Sequence, residues 1–283
     1  MPTTPTLTHA VLYDQGTFDG GIPDATPEAE DIAASGFGTV ALGQWHVHAD
    51  GSIYYNTKAA PLSVAKALLQ KYIPILKRTG RVSKVLISFG AQADDWTSIR
   101  AQLPAFKQAM AGFVTDVGAD GFDWDFEGDY TPANSDLLVD LTGWAAGLGL
   151  TVTAAPYVEV PFWQTVLGQT NGGGAAGFAW WNIQLYGGAN YPDWVAAVAG
   201  MTPHAPAAFV VPALSVKQGG VDAPTPQALK AALVGILRQY PACSGAGIWR
   251  YEDFKNTSPP STAAEYANAI AAALSTLRIG AGK

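Results

Sequence analysis

The 283-residue chain contains a single cysteine, Cys243. That excludes an intrachain disulfide framework and any multi-cysteine zinc site. It contains four histidines, and only His46 and His48 are close in sequence, so a histidine-rich metal site is not expected. Those two alternate along the chain and read as a surface pair. Charge is also scarce. Asp, Glu, Lys and Arg make up 14% of the residues, against roughly 25% in an average globular chain. Sixteen basic and 23 acidic side chains leave a formal net charge of −7, so the basic surface that nucleic acids and anionic membranes select is missing. No apolar run reaches the length of about 18 residues that marks a membrane span. The first residues, MPTTPTLTHA, have neither a charged n-region nor an apolar h-region and are not read as a signal peptide. This fits a cytosolic chain or one whose leader has been removed. Residues 1–8 read as an extended segment. No Pro-, Gly- or Ser-rich stretch is long enough for an interdomain linker; Asn171 to Gly174, Pro203 to Pro206 and Pro224 to Pro226 read as loops.

Apolar residues, by contrast, make up 48% of the chain, which excludes disorder for its bulk. Eight short apolar runs recur: His9 to Tyr13, Phe37 to Leu42, Lys84 to Phe89, Gly121 to Phe126, Thr151 to Ala155, Ala179 to Tyr186, Ala208 to Ala213 and Gly245 to Tyr251. Between them lie amphipathic stretches at Leu62 to Thr79, Leu103 to Val117, Asn134 to Leu148 and Pro226 to Tyr240, with Ser261 to Leu277 at the end. Shorter helices are expected around Pro161 to Leu167 and Tyr191 to Ala199. Pro74 is expected to kink or divide the Leu62 to Thr79 helix. Continuous apolar strands alternating with helices imply a parallel sheet covered on both faces. Eight such units in this length predict a single α/β domain, a (β/α)8 TIM barrel without a large insertion. A doubly wound open sheet would want a glycine-rich loop after its first strand, and Tyr13-Asp14-Gln15-Gly16-Thr17 is not one.

The strongest chemical signal is Asp120-Gly121-Phe122-Asp123-Trp124-Asp125-Phe126-Glu127. Strand side chains alternate between faces. Asp123, Asp125 and Glu127 therefore share one face, and Phe122, Trp124 and Phe126 the other. In a barrel the aromatic face packs outward on the helices and the acidic face points inward, toward the C-terminal rim where barrel active sites lie. A solvated edge does not explain three large aromatics opposite three acids. A calcium or magnesium site is a second possibility, although such sites usually draw oxygen ligands from around a loop. The third is acid catalysis: crowded carboxylates cannot all ionise cheaply, so one keeps a proton near neutral pH. Glu127, last in the row and nearest the rim, is the natural donor. Asp120 is out of phase with Asp123 and reads as a structural acid.

This segment resembles the D-G-x-D-x-D-x-E signature of glycoside hydrolase family 18, the chitinases and endo-β-N-acetylglucosaminidases, and lies on the fourth predicted strand, where that family keeps it. Tyr13 and Gln15 resemble the Tyr-x-Gly-Gln start of the compact hevamine-type chitinases, with Gln15 and Gly16 in reversed order. Thr153-Ala154-Ala155-Pro156 is similar to their T-A-A-P, Gln184-Leu185-Tyr186 to their Q-x-Y, and Gly245 to Trp249 to the segment ending in the Trp at the floor of the sugar site. One departure is Ser88-Phe89-Gly90-Ala91, where the family usually has S-x-G-G, which puts the shape of that loop in question.

The resemblance implies a substrate-assisted retaining mechanism, an exception to the two-carboxylate rule. Glu127 would protonate the glycosidic oxygen while the substrate's 2-acetamido carbonyl attacks the anomeric carbon. Asp125 would hold the acetamido N–H, Asp123 would share a proton with Asp125, and Tyr186 would donate to the acetamido oxygen. Trp249, Gln184, Tyr13 and Gln15 would bind substrate. No metal or organic cofactor is needed. The expected partner is an N-acetylglucosamine polysaccharide or glycan, and the protein is expected to be a monomer. Because chitin is extracellular, export is favoured over the cytosol. An N-glycan endoglycosidase and a non-catalytic carbohydrate-binding barrel remain as alternatives, the latter usually having lost the acid or its neighbouring Asp. Trp45, Tyr54, Tyr55, Trp96, Tyr157, Trp163 and Tyr191 lie near predicted rim loops, where aromatic faces stack on sugars, although any one of them is more often packing. Cys243 reads as a small buried side chain, and Glu252 and Asp253 as a solvated turn.

Overall fold

The computed structural model describes residues 9–56, 60–171, 177–217 and 222–280. The extended segment expected over 1–8, and most of the glycine-rich loop after Asn171, lie outside the described residues.

Eight parallel strands close on themselves. They are β1 (His9–Gln15), β2 (Thr39–Val47), β5 (Lys84–Gly90), β6 (Gly121–Asp125), β7 (Thr151–Ala154), β8 (Trp180–Gln184), β9 (Val210–Ser215) and β10 (Gly245–Trp249). Each pairs with the next, and β10 pairs with β1 to complete the ring. This is a (β/α)8 barrel, as the eight apolar runs predict. β2 also continues into a short antiparallel extension, β3 (Ile53–Tyr55) and β4 (Ala60–Pro61). Only residues 216–225 separate β9 from the following helix, so no large domain is inserted there.

Helices cover the barrel: α1 (Thr26–Ser35), α2 (Leu62–Lys77), α3 (Ala93–Ala101), α4 (Leu103–Val117), α5 (Pro132–Gly147), α6 (Val160–Asn171), α7 (Tyr191–Ala197), α8 (Pro206–Phe209), α9 (Pro226–Gln239) and α10 (Ala263–Gly280). Two of them, α5 and α9, are capped by a threonine with proline next. The Thr131 and Thr225 side chains accept from the backbone N–H of Asn134 and Ala228, and the proline follows at the first helical position, where its missing N–H costs nothing. α1 was not expected from the pattern, since its flanks read as turns. It presents Ala29, Ile32 and Ala33 to the core and ends at Gly36 with φ 108°, a left-handed cap that suits glycine. Pro74 does not divide α2, which runs unbroken past it. Pro74 is exposed while Tyr72, Ile73 and Leu76 are buried. The carbonyl that loses its partner therefore lies on the solvent side, where water can satisfy it.

The barrel wall separates two apolar clusters. Phe122, Trp124 and Phe126 belong to the outer one, packed among the helices, where Trp124 Nε1 donates to Thr142 of α5 at 3.1 Å. The inner one contains Val11, Tyr13, Ala41, Leu86, Ala155, Trp180, Val211 and Trp249. The strand alternation of the acidic segment is thus realised, aromatics out and carboxylates in. Gly121 opens β6 because a Cβ there would lie 1.8 Å from the carbonyl oxygen of Thr151; the neighbouring strand leaves no room for any other residue.

Two further expectations are corrected. His46 is not on the surface: it lies on β2, buried, with Nδ1 2.9 Å from Asp95 Oδ2, and Asp95 also accepts from the Val47 N–H at 2.9 Å. Glu252 and Asp253 do not form a solvated turn. They lie in a 3-10 helix, Tyr251–Asn256, where Asp253 is buried and accepts from Arg250 Nε at 3.4 Å. Burial pushes the Glu252 carboxyl up. Cys243 is buried, its thiol 3.4 Å from the carbonyl of Gly245.

Candidate active site

The C-terminal ends of β2, β5, β6, β7, β8 and β10 bring the acidic row of β6 together with polar and aromatic side chains. Asp123, fully buried, forms a polar layer inside the barrel. Ser88 of β5 donates to its Oδ2 at 2.9 Å, and Thr153 of β7 and Asn182 of β8 donate to its Oδ1. One layer higher, Asp125 sits between two amides. Gln44 Nε2 of β2 donates to its Oδ2 at 2.8 Å and Gln184 Nε2 of β8 to its Oδ1 at 2.7 Å. Proton sharing between Asp123 and Asp125 is not among the hydrogen bonds of the described residues; donors from other strands hold both carboxylates. Glu127 follows the strand, half-buried at the rim.

Burial raises the carboxyls of Asp123, Asp125 and Glu127 above their ordinary values. At Asp125 the nearby charges of Glu127 and Asp123 add to that rise, and the two glutamine amides oppose it. Burial penalises the ionised form of each, and like charges penalise it further, so the cluster keeps a proton well above the usual carboxylate range. Among the described residues no group of three or more His, Cys, Asp or Glu side chains is arranged to hold a metal ion.

Beside the carboxylates lies an aromatic wall. Trp249 ends β10 and its indole N–H has no partner among the described residues. The Tyr186 ring, just past β8, stacks on it with centroids 6.4 Å apart and planes 20° from parallel, and Tyr13 of β1 lies 5.7 Å away on another side. Burial raises the Tyr13 and Tyr186 hydroxyls, so both stay protonated. Tyr157 and Tyr130 border Glu127 from the loops. Gln15 is at the end of β1 with its Oε1 taken by Arg250. Asp120 is elsewhere: it enters β6 at the opposite end, accepting from the Val85 N–H at 2.7 Å and pairing with Lys77 at 2.6 Å.

Of the rim aromatics, Trp45, Tyr55, Trp96, Trp163 and Tyr191 are buried packing residues. Trp45, for example, stacks on Tyr55 at 4.9 Å. Tyr54 and Tyr157 keep part of their surface exposed.

The site also contains Gln44, Ser88, Thr153 and Asn182 in roles that the acidic segment does not reveal. Ser88, Thr153 and Asn182 had a signal, a polar side chain in an otherwise apolar strand. The Ser88-Phe89-Gly90-Ala91 departure is resolved. Ala91 has φ 71° and Gly90 φ 115°, so the alanine takes the left-handed conformation a glycine would, and its N–H donates to the Asp125 carbonyl at 2.9 Å. An L-residue pays about 1–2 kcal/mol for that conformation, and glycine would lose about 0.5–1 kcal/mol of backbone entropy. Ala91→Gly is therefore expected to raise Tm by a degree or more in thermal unfolding; a fall would mean that the alanine methyl packs better than its backbone strain costs.

No protein-family model and no curated protein sequence matches the chain. Solved structures do. A family 18 chitinase from Pseudoalteromonas aurantia superposes with a TM-score of 0.70 at 18% identity, covering 94% of this chain and 100% of that one. A fungal endo-β-N-acetylglucosaminidase of the same family gives 0.67 at 20% identity, covering 95% and 98%. A Cycas revoluta family 18 chitinase in complex with (GlcNAc)4 gives 0.62 at 12% identity, covering 93% and 99%. The chain has the fold of glycoside hydrolase family 18.

Proposed function

We propose that the protein is a retaining endo-glycosidase that cleaves β-1,4 linkages between N-acetylglucosamine units, in chitin or its oligomers, with the substrate's own acetamido group as nucleophile. The observation that carries this reading is the Asp125 carboxylate, held by two amides and next but one to a half-buried Glu127, with an aromatic wall ending in Trp249 alongside.

Glu127 gives its proton to the glycosidic oxygen as the bond to the anomeric carbon breaks. The acetamido carbonyl oxygen attacks that carbon from the face opposite the departing oxygen and closes an oxazolinium ring. Asp125 accepts the acetamido N–H, and its negative charge offsets the positive ring. Tyr186, protonated at working pH, donates to the acetamido oxygen and aims it. Water then attacks the same face that the leaving group left, giving its proton to the Glu127 carboxylate and opening the ring with retention. Proton donation by a positioned carboxyl supplies roughly 10²–10⁴-fold. Alignment of an internal nucleophile adds more, because its translational entropy is already spent. Trp249 forms the sugar floor, and Tyr13 and Gln184 shape the pocket under it. Gln15 lies beside this floor, tied to Arg250. The whole chain acts as one catalytic unit, a monomer with no cofactor in the reaction, and its polymeric substrate favours an exported enzyme.

A second reading is cleavage of the chitobiose core of N-glycans. It is favoured by the fungal endo-β-N-acetylglucosaminidase, which the chain matches nearly as well as it does the chitinase. The chemistry is shared; the loops beyond the cleaved bond differ. Incubation with chitin oligomers beside a high-mannose glycopeptide, with products identified by mass, separates the two. Cut oligomers support the chitinase. A cut glycopeptide alone moves the substrate to the N-glycan core. Binding of either without any cleavage makes the barrel a carbohydrate-binding protein.

A further inference from the structure

Gln44 reaches the carboxylate cluster because β2 breaks its alternation. Ala41 faces the barrel interior beside Leu86, so strict period two would turn Gln44 outward and Trp45 inward. The register of β2 against β5 shifts between Leu42 and Trp45. Such an irregularity re-aims side chains: Trp45 turns out among the helices and Gln44 turns in, 1% exposed, onto Asp125.

The two amides on Asp125 are not equivalent. Gln184 Nε2 also donates to the Ala155 carbonyl at 2.6 Å, so its orientation is fixed by the barrel wall. Gln44 Nε2 has Asp125 at 2.8 Å, and its buried Oε1 has no donor among the described residues. A buried amide with one end unsatisfied costs stability that an apolar side chain of equal size would not. Gln44 gives that up for a single contact, and the contact is with Asp125. Its amide can also rotate with the carboxylate without losing another bond. Asp123 is in no position to do the same work, since Ser88, Thr153 and Asn182 occupy its oxygens.

We propose that Gln44 is a positioning residue for the reaction proposed above: its N–H is the yielding half of a two-amide clamp that aligns the Asp125 carboxylate beside Glu127 and follows it when it turns to the substrate. This rests on that reading of the site. The ionisable groups facing Asp125 are Asp123 and Glu127 of its own segment, Tyr13 from β1, Tyr186 past β8, and Tyr130 and Tyr157 from the loops. Burial keeps the tyrosines neutral. The charges around Asp125 are therefore negative, and the glutamine amides are the donors that counter them.

Two variants test it. Gln44→Met keeps the length of the side chain and removes the donor. In an active protein it is expected to lower kcat by about 10- to 100-fold with KM within about threefold of wild type, and to move the acid limb of the kcat/KM profile to higher pH. Gln44→Glu donates only when protonated, so the ratio of its activity to that of wild type at the same pH climbs as the pH falls, and that of Gln44→Met does not. A purely structural role would change thermal stability and leave the pH profiles superimposed. An independent readout is the carboxyl 13C titration of Asp125 in wild type and Gln44→Met, assigned by its loss in Asp125→Asn. A higher midpoint in Gln44→Met supports the clamp, and coincident midpoints overturn it whatever the rates. With an active wild type, an unchanged kcat and pH profile in Gln44→Met also overturns the positioning role. Failure of wild type to cut any substrate overturns the proposed function instead, and the titration still decides the clamp.

Discussion

Glu127→Gln is expected to abolish turnover while leaving the barrel and its sugar binding intact. The amide has the size of the carboxyl and no acidic proton, so the glycosidic oxygen leaves unprotonated and the reverse proton transfer from water is lost too. The expected fall in kcat is roughly 10²–10⁴-fold. Glu127 is half-buried at the rim, not in the packed core. Its carboxyl is raised by burial, so losing the charge removes a cost and Tm should hold or rise. Oligomer affinity, read by calorimetry, should stay close to wild type. Hydrolysis at the wild-type rate would show that the proton comes from elsewhere.

Asp125→Asn carries the second-largest effect, and it splits activity from stability. In activity, the negative charge facing the oxazolinium ring disappears. Removing one such preorganised group costs about 10²–10³-fold in kcat. The interaction is strongest in the transition state, so kcat and kcat/KM should fall together; a change in KM alone would contradict the role. In stability the sign is opposite. The Asp125 carboxyl is raised in the folded protein, so the folded state binds a proton that the unfolded state has already released. That destabilises the fold as pH rises through the unfolded value of about 3.9, and the loss levels off once the folded group ionises. Asp125→Asn cannot ionise in either state. It should therefore melt higher than wild type at pH 7, with the difference closing below about pH 4. The unpartnered Oε1 of Gln44 is available to the new amide if Gln44 turns over, so the substitution need not leave two donors facing each other.

The barrel was legible because each strand is an apolar run bounded by turn residues: all eight runs became strands, seven of them within two residues of their expected ends, while β2 runs five residues past Leu42 to Val47. The acidic segment also declared its faces, since Phe122, Trp124 and Phe126 alternate with Asp123 and Asp125 on a strand too regular to misread. What was hidden lies where regularity fails. Gln44 sits at a register shift that inverts the inside and outside of β2, and no spacing in the sequence announces it. His46 looks like a surface residue until α3 brings up Asp95, 49 positions away, to bury it. Pro74 does not divide its helix, because an exposed proline leaves its orphan carbonyl to water. Ser88 and Thr153 are visible as polar side chains in apolar runs, but their purpose, to hold Asp123, depends on neighbouring strands lying in register at the same height, with Ser88 opposite Asp123 and Asp123 opposite Thr153.

The most direct test of the account is the anomeric configuration of the first product, followed by proton NMR as a chitin oligomer is cut. Attack by the acetamido oxygen and then by water inverts the anomeric carbon twice, so the account predicts that the β-anomer of the new reducing end appears first and only later mutarotates to the mixture. The α-anomer appearing first would mean a single displacement by water, and would contradict the role assigned to the substrate and, with it, to Asp125 and Tyr186.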